Sequence, residues 1–148
     1  MRRVISKVLL GSSSALLIFG GALHALAFFS KSSAAIDKAA VSPFFASELK
    51  GLWLTDSTTL IAVGVMLALA MLRSSTPPLL KLSIILLSSI PAATAAVLYW
   101  FLGGFFAAHL LMVAAALAVL AALLMQGSHP AAAQLRAGFG PRAPRSFL

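Results

Sequence analysis

Apolar positions along this chain fall into four long runs, covering about residues 8–29, 52–72, 82–102 and 105–125. A helix rises about 1.5 Å per residue, and about 20 apolar residues cross roughly 30 Å of hydrocarbon, so each run predicts one membrane-spanning helix. The breaks between the runs are short. Pro77 and Pro78 mark a turn between the second and third spans. The last two runs are separated only by Gly103-Gly104, with no formal charge from Lys81 to Arg136. One helix of that length does not fit a bilayer, so the glycine pair predicts a tight helical hairpin. Pro91 falls inside the third span and is expected to kink it. Between the first two spans lies a mostly small and polar loop. Ser42-Pro43 within it has the form of a helix start, with serine as N-cap and proline at the first helical position.

Small residues recur at helical spacing: Gly21 and Ala25, Gly64 and Ala68, Ala92 and Ala96, and Ala114, Ala118 and Ala122. In lipid the hydrophobic effect does not draw helices together, so close backbone approach must supply much of the packing. These stripes are the expected helix contacts.

Composition agrees with the pattern. Hydrophobic residues make up 61% of the 148 positions and charged ones 9%, against about 25% charged in soluble domains. The fold class predicted is an all-α integral membrane protein, a four-transmembrane-helix bundle. Residues 1–128 form the membrane domain. Residues 129–148, rich in Ala, Gly, Pro and Arg, form a basic disordered tail beside anionic lipid. A net charge of +8 would point to nucleic acid in a soluble chain. Here the basic residues flank the spans, so no nucleic-acid partner is expected and the bilayer is the partner.

Lys and Arg also set the expected orientation. With the N-terminus inside, the inner segments hold Arg2, Arg3, Lys7, Arg73, Lys81, Arg136, Arg142 and Arg145, and the outer ones hold only Lys31, Lys38 and Lys50. Eight against three places both termini in the cytoplasm. The small alanine-rich pattern points to a bacterial inner membrane. One competing reading makes the first span a signal peptide cut after Ala25-Leu26-Ala27; its apolar run is longer than the 7–15 residues typical of such a region.

The absence of cysteine excludes disulfides, thiolate zinc sites, Cys-ligated iron–sulfur clusters and a Cys nucleophile. No glycine-rich phosphate loop, H-E-x-x-H or G-x-S-x-G is present. The spans do contain three titratable groups. His24 lies near the outer end of the first span, and Asp56 and His109 lie as far into the second and fourth. All three fall roughly 7–8 Å below the outer boundary at 1.5 Å per residue.

Ionisable residues in spans pair with one another and mark functional sites. His24, Asp56 and His109 are therefore the candidate site. Glu48 stands at its entrance, hydroxyls of Thr55, Ser57, Thr58 and Thr59 surround Asp56, and Trp53, Tyr99 and Trp100 form an aromatic belt at a similar level. Four readings remain open. The three groups clasp the helices, or ligate a transition metal, or hold a proton or a lipid-soluble small molecule such as a quinone. Otherwise they are separate interfacial residues, with Asp56 capping its own helix. A narrower metal variant takes His24 and His109 as the axial ligands of a b-type haem. The alternative to any site is an accessory or assembly subunit, joined to other membrane proteins or to further copies of itself. His129, before Pro130, is expected to be a solvated helix-end residue.

Overall fold

The computed structural model describes residues 1–73 and 78–125. Its elements are α1 (Arg2–Ala27), a π-helical turn (Phe28–Ser32), α2 (Ser33–Lys38), α3 (Pro43–Leu72), α4 (Pro78–Leu102) and α5 (Phe106–Leu124), with no strand among the described residues. Four helical stretches are long and apolar enough to cross a membrane: Arg2–Lys38, Pro43–Leu72, Leu79–Leu102 and Phe106–Leu124. Of the expected turn, Pro78 opens α4 while Pro77 lies outside the described residues. The tail at 129–148, with His129, also lies outside them.

The segment between the first two spans is more helical than its polar composition implies. Ser42 Oγ accepts the Phe45 backbone N–H at 3.3 Å, Pro43 fills the first helical position, and α3 begins there, well ahead of the apolar run at 52. The first helix likewise continues through the π turn into α2. These extensions meet where Lys50 Nζ lies 2.6 Å from Asp37 Oδ1. Because α3 runs unbroken from Pro43 to Leu72, Asp56 is in its interior. The reading of Asp56 as an N-cap is thereby corrected: the true cap is Ser42.

Helix α1 is the hub. It packs against α3 on one side and α5 on the other, α4 packs on α5, and α3 and α4 touch only marginally. Along α3 the buried positions are Ser57, Leu60, Val63, Gly64, Leu67 and Ala70, which repeat every seven residues. The buried residues of α1, which packs on both α3 and α5, are Ser6, Leu10, Ser13, Ser14, Leu17 and Gly21. A seven-residue repeat keeps one seam facing its neighbour along two slightly crossed helices. The backbones approach closely at two glycines. A Cβ on Gly21 would sit 2.8 Å from the Ser57 carbonyl oxygen, and one on Gly64 would sit 2.7 Å from Ile18 Cγ1 and 3.0 Å from the Ser14 carbonyl oxygen.

Consecutive helical residues point about 100° apart, so two adjacent serines on α1 can reach two different neighbours. Ser13 Oγ donates to the Ala114 carbonyl of α5 and Ser14 Oγ to the Gly64 carbonyl of α3, each at 2.7 Å and both buried. Replacing either with Ala should lower stability by about 1 kcal/mol. Unfolding in mixed micelles measures this, and variants indistinguishable from wild type would show that these bonds do not hold the bundle.

The expected small-residue stripes are partly placed at contacts. Gly21, Gly64, Ala114, Ala118 and Ala122 are buried, while Ala25 and Ala68 are half-buried. In α4 the expected pair is displaced: Ala92 is half-buried, Ala96 is exposed, and the inward face is Ile84, Ser88, Pro91 and Ala95. Pro91 is accommodated within α4, which continues on both sides of it.

The α4–α5 hairpin forms at the glycine pair. Gly103 has φ +67, a conformation that glycine adopts without a Cβ penalty. Its N–H donates to the Tyr99 carbonyl at 3.1 Å, and the Phe105 N–H donates to the Gly103 carbonyl at 2.7 Å. Most of the outward surface is apolar, as at Phe19, Leu69, Leu86, Val97 and Leu123, which suits contact with lipid. Ala25-Leu26-Ala27 forms the last turn of α1, so cutting there would remove the helix on which both α3 and α5 pack.

Candidate functional site

Near the end of the bundle that carries the α1–α3 connection, His24 on α1 faces Asp56 on α3. His24 Nδ1 lies 3.5 Å from Asp56 Oδ2, and the two side chains are 31% and 34% exposed. Trp53, three residues before Asp56 on the same face of α3, fixes the imidazole in two ways. Its indole Nε1–H donates to the His24 carbonyl at 3.1 Å, and its ring meets the imidazole edge to face, with centroids 4.6 Å apart at 87°. The imidazole Nε2 is shielded from solvent and has no hydrogen-bond partner among the described residues.

The pair borders a cleft of 610 Å³. The cleft exists because α3 and α4 scarcely touch, leaving a gap over α1 and α5. Small side chains at Gly20, Ala27 and Ala107 leave room in it, and Leu98 and Leu102 of α4 with Phe105, Phe106 and Leu110 at the hairpin supply apolar walls. His24 and Asp56 are the ionisable groups in this lining.

His109 does not join them. On α5 the buried positions include Ala108, Leu111 and Ala115, and His109 lies about 100° round the helix from Ala108. It is exposed, its Nδ1 donates to the Phe105 carbonyl at 3.0 Å, and its ring lies edge-on to Tyr99 at 5.2 Å. Equal depth therefore brought together two of the three residues. Among the described residues no group of three His, Cys, Asp or Glu side chains is placed to hold a metal ion. The pair expected for a haem is likewise divided at this cleft, which His24 lines and His109 does not.

The other expected site residues divide. Trp53 lines the cleft, but Tyr99 sits against His109, Trp100 is 84% exposed, and Glu48 is exposed on the α3 extension. Thr59 is half-buried on α3 and does not line the cleft. Nearby hydroxyls turn back onto their own helix: Ser57 Oγ donates to the Trp53 carbonyl and Thr58 Oγ1 to that of Thr55. The walls at Leu98, Leu102, Phe105, Phe106 and Leu110 were not anticipated. The signal for them was the pair of phenylalanines directly after Gly103-Gly104.

No protein-family model, curated protein or solved structure matches this chain. Its own residues define the class: a small helical protein with four helices able to span a membrane and an apolar cleft bordered by one imidazole–carboxylate pair.

Proposed function

We propose that this is an inner-membrane protein, with both termini in the cytoplasm, whose cleft holds a lipid-soluble small molecule with its polar group against His24 and Asp56. The observation that carries this reading is the 610 Å³ cleft itself, apolar except for that pair. Small-molecule sites are concave, mostly apolar, about 300–1,000 Å³ in size, and oriented by a few polar groups. Intramembrane ionisable residues are by default functional, and Nε2 of His24 is shielded from solvent with no hydrogen-bond partner among the described residues.

Trp53 reports on occupancy directly, since it lines the cleft and the other tryptophan, Trp100, can be changed to Phe. In nanodiscs, decylubiquinone should quench Trp53 fluorescence of Trp100→Phe protein saturably, and Ala107→Phe, which fills the cleft, should remove the saturable part. Quenching that stays linear in quinone and is unchanged by Ala107→Phe would refute a quinone occupant, and the absence of saturable binding by a lipophilic cation as well would refute the site.

A second reading, a structural clasp without a ligand, is supported by the 3.5 Å contact that joins α1 to α3. A thermodynamic cycle on the pair, read together with ligand binding, separates the two.

A further inference from the structure

The charges around the cleft restrict its occupant. Asp56 supplies a carboxylate, and His24, with Nδ1 turned towards it, adds no net charge while neutral. Among the described residues no lysine or arginine lines the cleft. Lys50, farther along α3, is engaged by Asp37 at 2.6 Å, and Lys31 and Lys38 are exposed in the π turn and α2. The cleft is thus electronegative, in surroundings too apolar to screen the charge well. An anion is repelled there, and a neutral molecule leaves the charge unanswered.

A cation whose charge is wrapped in hydrocarbon satisfies every part of this lining. Its charge faces Asp56, its substituents fill the space between Leu98, Leu102 and Leu110, and the aromatic faces of Trp53, Phe105 and Phe106 add cation–π attraction. Resting on the small-molecule reading above, we propose that the cleft selects lipophilic cations, bound in competition with protons.

Protonation of His24 or of Asp56 brings the net charge of the pair to zero, so binding weakens as the pH falls. The other titratable groups on the packed helices stand apart: Tyr99 of α4 and His109 of α5 face each other outside the lining, and Glu48 is exposed on the α3 extension.

Equilibrium dialysis against nanodiscs, with empty nanodiscs subtracted, tests this using labelled tetraphenylphosphonium and the neutral triphenylphosphine oxide. Tetraphenylphosphonium should bind about tenfold tighter or more, a preference lost in Asp56→Asn and restored in Asp56→Glu. Its affinity should fall as the pH is lowered, a dependence that Asp56→Asn should remove. If Asp56→Asn does not fold, the wild-type preference and its pH dependence decide. Equal affinities, or a tighter neutral compound, alongside saturable quinone quenching of Trp53 would overturn the cation selectivity and leave the site standing. If neither compound binds and the quinone does not saturate, the site falls as well.

Discussion

Gly64→Leu is expected to separate α1 from α3 and to cost about 3 kcal/mol, seen as a melting temperature lower by roughly 10 °C in detergent. The cause is local. A Cβ at this position meets Ile18 Cγ1 at 2.7 Å, the Ser14 carbonyl oxygen at 3.0 Å and the Ile18 backbone nitrogen at 3.1 Å. A flexible side chain can yield, but two of these atoms are backbone, so the helices must move apart. Moving them also stretches the 2.7 Å hydrogen bond from Ser14 Oγ to the Gly64 carbonyl. In lipid this loss is not recovered by hydrophobic association, because exposed apolar side chains remain solvated by acyl chains. Gly51→Leu is the control, since nothing lies within 4 Å of a Cβ there on the same helix. Equal melting of the Gly64→Leu and Gly51→Leu proteins would contradict the α1–α3 seam.

His24→Leu and Asp56→Leu, singly and together, should show strong coupling. Each single change leaves one polar partner in an apolar setting and should destabilise by about 2 kcal/mol. That is less than the 3–5 kcal/mol of a fully buried pair because both side chains are about a third exposed. The double variant places two leucines at the contact and should regain most of the loss. The bond from Trp53 Nε1–H to the His24 backbone carbonyl survives every variant, so the cycle isolates the side chains. Additive losses would mean that the pair contributes no coupling and that neither group is held for the sake of the other. Coupling together with saturable binding of the quinone or of tetraphenylphosphonium assigns the pair to a ligand site, whereas coupling without binding of either assigns it to a clasp.

The four long apolar helices were legible in the sequence because length and apolar content are properties of single helices. So were the Ser42-Pro43 start and the Gly103-Gly104 turn, each fixed by the conformational demands of one or two residues. Position along each helix was legible too, since it follows from counting residues, and it led to the contact between His24 and Asp56. Rotation was not. His109 has the right depth but is turned towards Tyr99, and α4 presents Ala95 rather than Ala92 or Ala96. In a soluble helix, hydrophobic periodicity marks the inward face. Here both faces are apolar, so that signal is absent and alanine is too common to replace it. The cleft was hidden for a related reason, because a gap between α3 and α4 is a property of helix order rather than of either helix.

That helix order also governs assembly. α1 with α3, and α4 with α5, are each neighbours along the chain, so the protein is two local hairpins joined by the contact between its first and last long helices. The Ser13–Ala114 bond spans 101 residues, and loop closure of that length is the slow, entropically expensive part of assembling the bundle. Until α5 docks, α1 therefore has one side without its partner. The cleft, bordered by both hairpins, comes into existence only at that final docking, so ligand occupancy would report that the chain is fully assembled.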